Sequence, residues 1–213
     1  MKNNLLRLLT IVLLSITVIN CKNKTEDATV NNNETAMITT KQNAVKYDVI
    51  IEESTIEWQG FKPTGSHSGT ISIGDGTFNI SDGNIKSGTF LIDMSSIKES
   101  KGSVRLEGHL KSADFFDVEK FPNSSFEITG LTEVDGNYIL SGNLMIKDKT
   151  NNISFPVSFS SEDDSYTISS DVFTIDRSKW EIRYKSKSFF NDLKDKFIND
   201  DIELKITVKA KKS

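Results

Sequence analysis

The chain has 213 residues, a formal net charge of −4, and 36% hydrophobic and 26% charged residues, the size and composition of about one globular domain. Its body carries no basic run, which excludes the clustered Lys/Arg face that nucleic acid requires. Its single cysteine excludes an intrachain disulfide.

Residues 1–20 have the form of an export signal. Lys2 and Arg7 precede an apolar run from Leu8 to Ile19 that is too short to span a bilayer. The run ends at Val18-Ile19-Asn20-Cys21. A lone Cys at that place resembles a bacterial lipobox, in which the Cys is acylated and becomes the new N-terminus, although Asn20 stands where Gly or Ala is usual. Residues 21–44 are rich in Asn, Thr, Lys and Glu and poor in large apolar groups, so they are expected to form a flexible tether. By coil scaling its reach is on the order of 25–30 Å. The protein is therefore expected to be exported and lipid-anchored at Cys21 in a bacterial envelope, in the periplasm or at the outer membrane.

From Val45 the apolar period becomes two. Val45, Tyr47, Val49 and then Ile56 and Trp58 alternate with polar residues. A strand follows from His67 to Ile73, with Asp75-Gly76 expected to turn a hairpin and Asp82-Gly83 another. Phe90, Ile92 and Met94 share a face. After Phe126 and Ile128, Asp135-Gly136 turns the chain into Tyr138, Leu140, Gly142, Leu144 and Ile146. A turn is expected at Asp148–Asn151, and a bulge or edge at Pro156. The parity of apolar residues switches between Tyr166/Ile168 and Phe173/Ile175, which predicts a second bulge near Ser170-Asp171. Ile202, Leu204, Ile206 and Val208 form a clean last strand, and residues 45–213 make one domain.

One stretch breaks the period. Leu106–Phe126 contains Gly108 and Pro122, and Ser112 is expected to cap a short helical turn at Ala113-Asp114. In a chain of antiparallel strands it is expected to cross an open end and to drop Leu110, Phe115 and Phe116 inside. The fold class predicted is all-β: a single antiparallel barrel of roughly eight strands, closed by the long last strand, with room for one small ligand. A sandwich is the other architecture this pattern allows.

Several segments, in order and spacing, resemble the YceI-like family. They are Thr55–Gly60, Gly65–Gly69, Gly88–Ile97, Leu110–Asp117 with Phe121-Pro122 and Phe126, Leu140–Lys147, and Phe173–Trp180. The chain departs from the family pattern at Asp148 and Glu181, where many members carry Gly. The resemblance implies a lipocalin-like barrel whose apolar channel binds polyisoprenoid lipids, such as isoprenoid quinones, without covalent chemistry.

The residues expected to line the channel are Phe78, Phe90, Ile92, Met94, Leu110, Phe115, Phe116, Phe126, Leu144, Ile146 and Trp180. His67, His109 and Arg177 are the polar contacts considered for a ligand. The alternative for Arg177 is to satisfy loop carbonyls or a carboxylate while Trp180 plugs a barrel end. The two histidines lack the close Cys/His partners of a zinc site, and no nucleophile motif such as Gly-x-Ser-x-Gly is present. No enzyme activity, metal or cofactor is expected. The expected partner is a long isoprenoid lipid; the rival expectation is an interaction lipoprotein whose barrel is filled by its own Phe residues.

Overall fold

Alternation of apolar and polar residues produces strands with one buried face, and these strands bend into a ring. The computed structural model describes residues 26–27, 29–31 and 44–213; the signal segment and Cys21 lie outside them. In chain order the elements are β1 (Glu26–Asp27), β2 (Thr29–Asn31), β3 (Val45–Val49), β4 (Thr55–Lys62), β5 (Gly65–Ser81), β6 (Asn84–Glu99), α1 (Val104–Lys111), β7 (Asn123–Val134), β8 (Asn137–Ile146), β9 (Lys149–Glu162), β10 (Ser165–Ser170), β11 (Phe173–Asp176) and β12 (Asp201–Lys212).

Strands β5 to β9 form an antiparallel meander, and β10 joins β9 to β12. β12 closes the ring by pairing with β10 and β11 on one side and with β3 and β4 on the other. Counting β3/β4 and β10/β11 as one position each, the ring has about eight strands, the size whose interior side chains just fill or hold one ligand. Asp82-Gly83 and Asp135-Gly136 turn at one end with positive φ at both residues (54° and 74°, 51° and 79°), the geometry that a tight hairpin demands. α1 and the loop between β11 and β12 lie at the opposite end, where β6 crosses to β7.

Three details differ from the sequence expectation, and a fourth, at Pro156, takes the edge rather than the bulge. Asp75-Gly76 does not turn the chain: β5 continues through it, with a register slip between Ile73 and Asp75. The Asp75 carboxylate accepts the Gly76 N–H at 2.8 Å, so the turn-forming pair is absorbed as a bulge. The β8–β9 turn lies at Lys147-Asp148, Lys147 taking the positive φ (58°), and Lys149–Asn151 are already strand. Pro156 causes no register slip against β8; β10 begins to pair at Val157, one residue beyond it, so its missing N–H is not required there. Ser103 caps α1, accepting from Leu106 N–H, while Ser112 ends it. The helix starts earlier than the apolar spacing implied because Ser103 offers a cap before it.

The parity switch is a bulge. Ser169 opposes Thr207 and Phe173 opposes Leu204, so three residues of one strand face two of β12. The Ser170 hydroxyl accepts the Ile206 N–H at 2.8 Å across the kink. Beyond it β11 swings away from β9. β1 pairs with β11 there and β2 with β9, so two short strands come from the segment read as a flexible tether.

Candidate functional site

The inward faces enclose a tube of about 210 Å³, many times the ~10–15 Å³ that seats one water. β6 supplies Phe90, Ile92, Met94 and Ile97, β7 Phe126, and β8 Leu140, Leu144 and Ile146. Met94 keeps the parity of Phe90 and Ile92, and Ile97 points inward because β6 loops through four residues between its pairings with Thr70 and Ser72. That loop is secured by Met94 N–H to Pro122 O at 3.0 Å and Ser72 N–H to Ser96 Oγ at 2.8 Å. Gly142 makes room for the Phe126 ring: a Cβ there would stand 2.2 Å from it and 2.7 Å from the Glu127 carbonyl. The aromatic over a cross-strand glycine is the device that curves a sheet without leaving a void.

α1 and the turn after it cover the mouth, and Leu106, Leu110, Phe115 and Phe116 line the tube from above. Glu99 fastens this lid. It is 5% exposed, and its Oε2 accepts the N–H groups of Lys101 (2.8 Å) and Ser103 (3.1 Å). Its own N–H donates to Glu107 of α1 at 3.0 Å, and its Oε1 faces His67 Nδ1 at 3.3 Å. The Ser103 N–H above all, then His67 and the Lys101 N–H, hold the Glu99 carboxyl below the usual range despite burial. Glu107 is lowered chiefly by the Glu99 N–H, with Lys98 adding to it.

An outer vestibule of about 550 Å³ adjoins the tube, and Lys62, His67 and Leu106 line both. His109 belongs to the vestibule, its Nε2 3.1 Å from Asp114 and its ring edge-on to Phe115 and Tyr184. The two histidines thus each sit beside a different carboxylate.

Arg177 is buried (1% exposed) and touches the tube. It donates from Nε to Asn199 O at 3.1 Å, from Nη1 to Ile182 O at 2.7 Å and from Nη2 to Ile198 O at 3.1 Å. Nη2 also pairs with Asp200 Oδ1 at 3.1 Å. Burial pushes its pKa down, with Asp200 and Asp176 opposing. The guanidinium is therefore a pin for the loop that shuts this end. It stacks 5.6 Å from the Phe115 ring centre, which links pin and lid.

Two expected wall residues stand elsewhere. Phe78 is fully buried but packs in an aromatic plug at the far end, stacked on Tyr47 (5.4 Å) and tilted against Tyr166 (5.7 Å). Trp180 is fully buried in the core without lining the tube, donating Nε1–H to Leu144 O at 3.0 Å. Glu181 follows it with φ 57°, the left-handed position where a Gly is at ease. Trp58 and Ser124 line the tube and were not singled out from the sequence. Trp58 is visible there as a strand residue of regular parity; nothing in the sequence marks Ser124.

Fold and cavity together define a class: a small antiparallel barrel, capped by one helix, around an apolar tube with one polar mouth. The chain belongs to the YceI-like family, whose domain matches residues 25–210. Among solved structures it is similar to BcnA of Burkholderia cenocepacia (19% identity, TM-score 0.62, 76% of this chain and 99% of that one). It is also similar to a polyisoprenoid binding domain from Saccharophagus degradans implicated in plant cell wall breakdown (11%, 0.59, 79% and 99%). The YCEI protein of Campylobacter jejuni is a third (17%, 0.52, 86% and 93%). No curated protein sequence matches the chain.

Proposed function

We propose that the tube holds the chain of a long apolar lipid of the polyisoprenoid class, without covalent chemistry, and carries or stores it while Cys21 anchors the protein to a membrane. The observation that carries this reading is the tube itself: a continuous space with an apolar wall, under a lid, in a barrel whose own Phe residues leave it unfilled. Each methylene moved from water into such a wall is worth about 0.8 kcal/mol, so a long chain binds with few polar contacts. The name of the Saccharophagus degradans domain, which shares the fold, points to the same ligand class. No step in this role needs a nucleophile, metal or cofactor.

The test is native mass spectrometry of the protein, followed by delipidation and reloading with a long isoprenoid. A non-covalent lipid adduct is expected, with a melting temperature that falls on delipidation and recovers on reloading. Ligand at 100 times its Kd adds about 2.7 kcal/mol. Protein that carries no lipid and whose melting temperature ignores added isoprenoid would return the barrel to an interaction role. Separately, Cys21→Ser is expected to move the protein out of the membrane fraction; retention there would refute the anchor.

A further inference from the structure

The two ends of the barrel differ in charge. At the far end the turns carry Asp82, Asp135, Glu162, Asp163 and Asp164, with Lys211 and Lys212 of β12 beside them. At the mouth, the β4–β5 turn, the lid and the loop of residues 177–200 hold more bases than acids, in a chain whose net charge is −4. These three parts form one face. Asn199 N–H of the loop donates to Phe61 O at 2.9 Å, and Tyr184 of the loop meets the lid's His109 edge-on at 4.6 Å. Lys62, Arg105, His109 and Tyr184 line the same vestibule. Lys62, Lys101, Arg105, Lys187, Lys194 and Lys196 are exposed on this face, and none forms an ion pair among the described residues. Asp192 and Asp195 stand among the lysines, while Glu107, Glu181 and Asp200 are spent on Lys98, Arg183 and Arg177. Two large apolar side chains project beside the cations: Val104, 79% exposed at the start of α1, and Phe190, 48% exposed in the loop.

We infer that this face docks the barrel, mouth down, on a bilayer that carries anionic lipid. Exposed lysines and arginines around projecting apolar and aromatic side chains are the composition of a surface that rests in a bilayer interface. The cations meet the lipid charge, Phe190 and Val104 enter the headgroup layer, and the acidic turns of the far end point away. The choice of a bilayer over an acidic protein rests on the lipid-binding reading. A long apolar chain moving between bilayer and tube is exposed to water over its length unless the mouth meets the surface, and that exposure is unfavourable for every methylene.

The test uses the chain beginning at Lys22, which keeps every element of the fold and lacks Cys21, so no acyl anchor contributes. Co-sedimentation is measured with vesicles of phosphatidylcholine alone and with about a quarter phosphatidylglycerol. Wild type is expected to bind the anionic vesicles at least about tenfold tighter, with an affinity that falls as salt rises. Replacing Lys187, Lys194 and Lys196 together by Gln should weaken that binding roughly tenfold to hundredfold, at up to about fivefold per cation. Phe190→Ser with Val104→Ser should weaken it roughly threefold to tenfold. Lys211→Gln with Lys212→Gln, at the far end, should leave it unchanged. Equal binding to both vesicles, or an equal loss in the far-end variant, would overturn the docking face. Binding to polyglutamate but not to anionic vesicles would overturn it in favour of an acidic protein. The lipid-binding reading is judged apart, by whether the same chain takes up isoprenoid in solution. A lipid adduct without vesicle binding overturns docking alone; vesicle binding that needs the mouth lysines, in a chain that takes up no isoprenoid, supports the face and overturns the lipid-binding reading.

Discussion

Arg177→Ala tests how the loop at the lid end of the tube is held. The substitution removes donors from the carbonyls of Asn199, Ile182 and Ile198 and the cation from Asp200, around a side chain only 1% exposed. Each lone buried group costs about 1–3 kcal/mol, but the sum over four overstates the effect because the vacated site admits water. Removing one partner of a buried pair costs about 3–5 kcal/mol, and we take that as the expected loss. For a domain of this size it lowers Tm by roughly 6–20 °C. Arg177→Lys keeps a charge but not the fork, and is expected to lose roughly half as much. Urea and thermal unfolding of the lipid-free chain measure the loss, and hydrogen exchange locates it. Because the acceptors belong to 182–200, exchange should rise there first while β5–β8 stay protected. A loss under about 1 kcal/mol, the size of an ordinary substitution, would refute the pin, as would exchange that rises evenly over the barrel.

Three further outcomes are expected. Phe90→Asp or Ile146→Asp places an unpaired carboxylate in the tube wall and should abolish lipid binding; retained binding by a titration of isoprenoid would place the lipid elsewhere. Phe115→Ala removes the ring between lid and Arg177 and should speed ligand release in stopped-flow measurements with little change in fold by circular dichroism; unchanged release would show that the lid does not gate the tube. Glu99 has its carboxyl lowered by the Ser103 N–H, then by His67 and the Lys101 N–H. Its hold on α1 is therefore complete above the ordinary glutamate value of 4.5 and is lost as pH falls through the lower folded-state value. Lipid release should quicken only in that acid window, and Glu99→Gln, with its fixed neutral amide, should flatten the profile; acceleration that persists in Glu99→Gln would assign it to another group.

The barrel was legible because its signals are local. Alternation on β8 and β12 orients Leu140, Leu144, Ile146 and Ile202, Leu204, Ile206, Val208 without knowledge of any neighbour, and Asp-Gly pairs mark two of the hairpins. The same signal failed at Asp75-Gly76, where pairing along the whole of β5 and β6 outweighs a two-residue turn preference. Parity shows which face a residue takes and not how far along the tube it stands. Phe78 and Phe90 share that face, yet Phe78 stacks on Tyr47 in the plug while Phe90 borders the cavity. Trp180 was read for its bulk; core packing buries it away from the tube lining, and its Nε1–H is spent on Leu144 O.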